Sequence, residues 1–506
     1  VRNKIFSSLL ILALLAVASP AQRTRSVGVK PPTQTAAKSQ TAYEIPFKVK
    51  TLANGMQIIV LADSSLPIVT LEFAVRTGSF TEPPELNGLS HLYEHMFFKP
   101  NSARLLVQCE RAMRNGPLNA YGQQVCSSPL KLKSTIGDTS YLNDIDQIGI
   151  VNNAETHEEV VNYYFTTTTP HLYTAMKFMK DSIRYPNFDE SDFAGEKTVV
   201  LSELDRNMSQ PGYFLDRALH DKLFYKYPTR KSPGGTRETV SAATTEQMRL
   251  IQSRYYVPNN SALVVTGDVN AEVVFKLVEQ LFGDWPRAED PFVKYPLVEH
   301  PPLTKSEGVI INQPVESVII QIGWQGPSIG KDDAATYAAD VFSYIVGQPD
   351  SRFQRKMRDS GLTDFISVHY YTQKNVGPIR ITFSTTADKA KAAVKALYAE
   401  LDQFTEPAYF TDAELANAKT LLEAEDLYRR EKLSDYSHTI AFWWSTTGID
   451  YYRGYHKNLR AVTRADITRY IKSYIQNKPH IGLALISTEQ QEIAKLTAGD
   501  LIGGAK

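Results

Sequence analysis

The chain is 506 residues long, 42% hydrophobic and 22% charged, with 27 Gly and 27 Pro, a globular composition that excludes a wholly disordered or fibrous chain. That length exceeds one compact core and suggests roughly two to four domains of ordinary size. Lys plus Arg equals Asp plus Glu at 55 each, so no net field draws nucleic acid or an anionic membrane.

At the N-terminus, Arg2 and Lys4 precede an apolar stretch from Ile5 to Ala18, followed by small residues at Ser19 and Ala21. The stretch is short for a membrane span and reads as a secretory signal peptide over residues 1–21. The expectation is a periplasmic or secreted bacterial protein, or a membrane-anchored one if the segment stays uncut. No second long apolar run follows, so no stable membrane span is expected after its removal. Cys109 and Cys126 are the two cysteines; export permits a disulfide, and two unpaired thiols stay equally open.

Residues 22–42 are polar and rich in Pro, Thr, Ser and Gln, as in a flexible linker. Gln57–Leu61 and Ile68–Val75 are β-rich runs, with turns at Asp63-Ser64-Ser65 and Thr77-Gly78-Ser79. Helical patterns follow at Leu89–Phe98, Thr168–Asp181, Ser191–Asn207, Glu246–Tyr256 and Ala271–Phe282, with a strand at Ala262–Thr266. Residues 286–307 are rich in Pro and charge and read as an interdomain linker. Strands recur at Gly308–Ile311 and Ser317–Gly323, and helices at Ala334–Ile345, Lys389–Gln403 and Asp412–Glu431. Thr244–Val265 and Thr463–Ile486 share one order: a helix ending near a Tyr, a turn with Pro and Asn, and an apolar strand. An internal duplication follows, giving an α+β chain of two homologous domains, each a mixed or antiparallel β-sheet flanked by helices. The expected domains are 43–285 and 308–506.

Within Leu89–Phe98, His91 and His95 are four residues apart and share one helix face, with Glu94 on the same side. Two imidazoles so spaced can chelate one zinc ion, and the adjacent carboxylate can take a proton from a water the metal has acidified. H-x-x-E-H is the inverted form of the zinc-peptidase motif. A third protein ligand is needed, and Ser191–Asn207 offers two candidates, Glu196 and Glu203, seven apart on one face. Val199 and Val200 are assigned to that face too, and carboxylates on an apolar stripe are costly unless paired or bound to a cation.

Together these residues resemble the pitrilysin/insulinase family of zinc metallopeptidases, which includes the mitochondrial processing peptidases. The likeness covers about residues 43–490. It rests on Gly78-Ser79, Glu82-Pro83-Pro84 and Gly88-Leu89-Ser90 ahead of the motif, and on Phe193, Glu196-Lys197, Val199-Val200 and Glu203-Leu204 after it. The resemblance implies His91, His95 and Glu203 as ligands of one Zn2+ per chain, Glu94 as general base and Glu196 as a supporting carboxylate. It also implies that the segment of Asn153, Ala154, Glu155 and Thr156 is an edge strand that pairs with peptide substrates. Tyr255 to Asn260, Gly267-Asp268-Val269 and Phe282 to Trp285 resemble the close of the family's first domain. Shorter members pair as homodimers or heterodimers around a peptide-sized chamber.

Two departures stand out. The distance from His95 to Glu203 is longer than the family pattern, with the extra length around Gly116–Asn143. The family's second domain carries an Arg and a Tyr seven apart that contact substrate; here Arg358 matches, but Phe365 stands in the second place and lacks a hydroxyl. The helix near Tyr337–Ile345 carries no His. The reading is a zinc endopeptidase acting on peptides or unfolded segments through a metal-activated water. The alternative is a weakly catalytic or non-catalytic peptide-binding subunit that needs a sister chain.

Overall fold

Ile58 to Leu61 and Leu483 to Ile486 are unbroken apolar runs, the pattern of strands buried on both faces. The computed structural model describes residues 45–103, 117, 120 and 145–504, and explains why. The first half holds β1 (Lys48–Thr51), β2 (Gln57–Ala62), β3 (Ile68–Val75), helix α1 (Leu89–Met96), β4 (Val151–Thr156) and β5 (Val161–Thr168). It continues with α2 (Leu172–Arg184), α3 (Glu190–Met208), α4 (Pro211–Leu223), α5 (Thr245–Tyr255), β6 (Ser261–Gly267) and α6 (Ala271–Phe282). The second half holds β7 (Glu307–Asn312), β8 (Val318–Gln325), α7 (Asp333–Gly347), β9 (Phe365–Tyr370), β10 (Pro378–Thr385) and α8 (Ala390–Gln403). It continues with α9 (Asp412–Arg429), α10 (Leu433–Thr446), α11 (Arg464–Tyr474) and β11 (Ile481–Ile486), and a short helix at Thr488–Ala494 follows.

The strands form two sheets, in the orders β1-β2-β6-β3-β5-β4 and β7-β11-β8-β10-β9. Without β1 the orders superpose one for one. In each, the last strand of its half lies parallel to the first and antiparallel to the second. The repeat ahead of those strands is matched as well. Thr244 and Thr463 cap α5 and α11 through reciprocal bonds with Gln247 and Asp466, and both helices run 11 residues. Such boxes satisfy the orphan N–H groups of a first turn. The fold is therefore mixed helix and sheet, two like domains in one chain.

The halves are interleaved. Ile58, Val60, Leu71 and Phe73 pack with α1, α2 and α6 of their own half, while Ile59, Leu61, Ala74 and Val264 pack with second-half residues. Helix α10 crosses over to cover β3, β5 and β6. In return, α4 lays Leu215, Leu219 and Leu223 on Ile481, Leu483 and Leu485 of β11. Each sheet is thus closed on one face by a helix from the other half, and the described residues pack as one unit.

Some expected elements shift. Helix α2 begins at Leu172 rather than Thr168, because β5 runs on through Thr168 and a single turn at Thr169–His171 contains Pro170. Val199 does not share the buried stripe of α3: it is 43% exposed, and Phe193, Val200 and Leu204 form that stripe. Residues 286–307 include one helical turn, Pro291–Lys294. The signal-like residues 1–21, the polar segment 22–42, Cys109, Cys126 and, apart from Pro117 and Ala120, the segment 116–143 lie outside the described residues.

Candidate metal centre

Helix α1 buries Leu89, Leu92, Tyr93 and Met96, the i, i+3, i+4, i+7 stripe of an amphipathic helix. His91 and His95 therefore emerge on the other side. The start of the helix is fixed by backbone contact. Gly88 sits at φ 88° against Gly235 at φ 73°, and a Cβ on Gly88 would lie 2.7 Å from the Gly235 Cα. Only glycine takes both that conformation and that approach at little cost. The buried Glu82 carboxylate accepts from the N–H groups of Gly88 at 2.8 Å and Ser90 at 2.6 Å. It thereby serves donors that a helix start leaves orphaned. Burial pushes this carboxyl up in spite of those donors.

Opposite α1 runs α3, capped by Asp189. His91, His95 and Glu203 each present one ligand atom, all within 4.8 Å of one another. His91 Nε2 and His95 Nε2 lie 3.6 Å and 3.5 Å from Glu203 Oε2. Behind the trio, His95 Nδ1 is 2.8 Å from Glu196 Oε2, and Lys99 Nζ is 2.5 Å from Glu196 Oε1. A carboxylate on Nδ1 fixes the tautomer, so the lone pair of Nε2 faces inward. His91 Nδ1, by contrast, is buried without a hydrogen-bond partner.

The electrostatics follow from this packing. Burial, with the His95 ring adding to it, lowers His91 to about 4, below the usual imidazole range. Burial also works against charge on His95, but its bonds to Glu196 and Glu203 outweigh that and raise it to about 10. Glu203 is held below the usual carboxylate range by the His95 ring. The positive charge of the imidazole pair therefore rests on His95, between Glu196 and Glu203, while His91 stays neutral. Two imidazole nitrogens and a carboxylate oxygen, with a second carboxylate on the ring behind, is a donor set that fits zinc. Among the described residues this is the one such group.

Glu94 is buried beside the trio, and its Oε2 accepts from Thr156 Oγ1 at 2.7 Å. Burial pushes its carboxyl up to about 7. Thr156 ends β4, the strand with Asn153 and Ala154. Asn153 pairs with Tyr164 and is exposed, whereas Ala154 pairs with Tyr163 and is buried against the α1 side. Strand β4 is the last in its sheet, so among the described strands its outer edge has no partner. Arg358 and Phe365 sit elsewhere, in the second half, Arg358 on the helical turn Arg355–Asp359 and Phe365 on the second sheet. Arg358 is engaged with Asp359 and the Pro349 carbonyl, and Phe365 opens β9, 46% exposed. The sequence places Glu82 only in the lead-in to the motif and Thr156 only in the edge strand that the resemblance pairs with substrate, with no link to Glu94. The six- and eight-residue spacings from Glu82 to Gly88 and Ser90 are the signal for the first; nothing local signals the second.

Two like domains that exchange helices, one of them bearing a His-Glu cluster, define a two-domain peptidase fold. The family model described as insulinase (peptidase family M16) matches residues 58–123 and 130–237, and that described as the peptidase M16 inactive domain matches 242–422. The chain belongs to this insulinase-type M16 peptidase family. The first match breaks over residues 124–129, inside the segment where the sequence suggested extra length. An uncharacterized zinc protease of Rickettsia felis is 24% identical over 398 residues, 78% of this chain and 86% of that protein. Zinc protease PqqE of Helicobacter pylori is 21% identical over 433 residues, 84% of this chain and 90% of its own. Among solved structures, a protease from Helicobacter pylori matches with a TM-score of 0.73 at 19% identity, over 87% of this chain and 99% of that one. The periplasmic protease PqqL of Escherichia coli matches at 0.67 and 16% identity, over 92% of this chain and 50% of that one. No helix among the described residues is long and apolar enough to cross a membrane.

Proposed function

We propose that the chain is a zinc-dependent metalloendopeptidase that cuts extended peptides or unfolded polypeptide segments. In this reading His91, His95 and Glu203 hold one zinc ion, and the observation that carries it is the convergence of their three donor atoms within 4.8 Å. Bound zinc would supply Lewis acidity, acidifying water and polarising a carbonyl. Glu196 orients His95 through Nδ1, and Lys99 holds Glu196 in turn. The open edge of β4, with Asn153 and Ala154, takes the backbone of the substrate as an added strand. Glu94 accepts a proton from the attacking water and returns it to the leaving amine, a role suited to a carboxyl held near neutrality. Zinc proteases among the relatives support this reading.

The same reading takes residues 43–285 as the metal-bearing domain, 286–307 as the connection and 308–506 as the domain without a metal site. It takes residues 1–21 as an export signal and the protein as periplasmic or secreted. Arg358 and Phe365 face substrate when two chains, alike or different, enclose a chamber. A second reading, a peptide-binding subunit with little turnover of its own, is favoured by Phe365, an exposed ring where a hydroxyl is expected. The Glu94→Gln variant tests the first. It should bind zinc as the parent does and lose roughly a hundredfold or more in kcat/KM on a mixed peptide substrate. Unchanged cleavage, or full activity after chelation, would sink the proposal.

A further inference from the structure

The strand beside the metal centre has two faces, and the second one is not empty. Along β4 the side chain of Thr156 reaches Glu94, so that of Glu155 points to the opposite face. There Glu155 stands across from Asn162 of β5. Helix α10 covers β3, β5 and β6 on this face, and β4 is the edge strand beyond them. Between α10 and β4 is a cavity of about 330 Å3, lined by Glu155, Val160, Tyr371, Thr439, Phe442 and Trp443 among others.

We propose that this cavity is a side-chain subsite for a large aromatic residue of the bound peptide. That residue is next to the one lying across from Thr156. The proposal rests on the peptide reading above. Side chains directly across two paired strands lie on one face. A peptide added to the edge of β4 therefore sends one side chain toward Glu94 and its neighbour to the Glu155 side, into the cavity. The walls are aromatic: Phe442 stacks on Tyr371 with centroids 5.9 Å apart, and Trp443 stacks on Tyr452 at 5.5 Å. The charges at the rim are already paired. Glu155 lies 3.2 Å from His157, the His438 ring is 2.7 Å from the buried Glu72, and Arg429 is 2.6 Å from Glu425. A charged substrate side chain gains no free counterion there, whereas a ring gains apolar contact on two sides.

The test uses the full chain with zinc on a proteome-derived peptide mixture, with cut positions read by mass spectrometry. The parent should enrich Phe, Tyr or Trp over Ala by about tenfold or more at one position adjoining the cut. Thr439→Phe, which fills the cavity, and Phe442→Ala, which removes a wall, should each bring that ratio close to one. The ratio is read within each variant, so a partly unfolded preparation does not imitate the result. Cleavage with no aromatic preference near the cut, or a preference that survives both variants, overturns the proposal. If no cleavage occurs with zinc, the peptidase reading fails by itself. Fluorescent Ala-based dodecapeptides carrying one Phe at successive positions then decide the subsite. Tenfold tighter binding at one position, lost in Thr439→Phe, upholds it, and equal binding of all peptides and the all-Ala control overturns it.

Discussion

Replacing Lys231 by Met should destabilise the protein by about 3–5 kcal/mol, the cost of breaking a buried ionic network from one side. The Lys231 ammonium is buried and donates to the carbonyls of Asn375 at 2.7 Å and Val376 at 2.8 Å, and to Gln373 Oε1. It also lies 4.6 Å from the Phe224 ring centroid. Glu159 grips the same second-half loop, accepting from the N–H groups of Lys374 and Asn375, both at 2.8 Å. Two charged residues of the first half thus clamp one loop of the second. Met in place of Lys231 leaves three acceptors unserved and Glu159 without its nearby cation. Thermal melting should fall by roughly 5–10 °C at neutral pH. Adding Glu159→Gln to the variant should recover part of that loss, because the orphaned charge goes with it. The pH dependence has a definite sign. Burial lowers the folded-state pKa of Lys231 to about 8, from 10.5. Between those values the unfolded chain keeps a proton that the folded chain has released, so rising pH favours the folded state. The parent should therefore gain on Lys231→Met by roughly 1 kcal/mol per pH unit above pH 8, up to about 3 kcal/mol. A loss under about 1 kcal/mol at pH 7 would refute the clamp, and a gap that narrows from pH 8 to 10 would show that burial does not lower the Lys231 pKa.

Glu196→Ala should weaken zinc binding by about 10–100-fold in a competition titration. Gly88→Ala should cost about 2–4 kcal/mol by chemical denaturation, since backbone at Gly235 stands 2.7 Å from the new Cβ and φ is 88°. A cost below about 1 kcal/mol would mean the two loops slide apart freely. Phe365→Tyr should raise kcat/KM by roughly tenfold if a hydroxyl there meets the developing oxyanion, and an unchanged rate would show that the position is idle.

The parts legible in the sequence are those with a local cause. The inverted motif gave its helix face from spacing alone, and α1 buries the complementary stripe. The shared order of Thr244–Val265 and Thr463–Ile486, a helix ending near a Tyr, a turn with Pro and Asn and an apolar strand, shows the duplication without any sheet, and the structure adds the matched caps at Thr244 and Thr463. The identity of the third donor was not local. Glu196 and Glu203 share one helix face, and only the position of α3 across α1 decides that Glu203 meets both Nε2 atoms while Glu196 meets the back of one ring. The run of threonines that extends β5 carries no helical veto until Pro170, so the pattern alone starts α2 too early. Spacing alone puts Val199 beside Val200, whereas the apolar face of α3 follows Phe193, Val200 and Leu204.

What no pattern announced is the exchange of α4 and α10. Each is amphipathic, and an apolar face says that it will be covered without saying by which sheet. Gly323 of β8 shows the consequence in the second sheet: a Cβ there would meet Leu219 of α4 at 2.4 Å. In the first sheet the exchange bears on function. Helix α10 brings His438 to the buried Glu72 of β3, and Glu72 also accepts from Asn162 of β5 at 2.7 Å. Asn162 stands across from Glu155, one residue before the Thr156 that holds Glu94. The half without a metal trio therefore closes the far face of the sheet whose edge carries the candidate site. Loss of α10 packing should be felt at Glu94 through the strand.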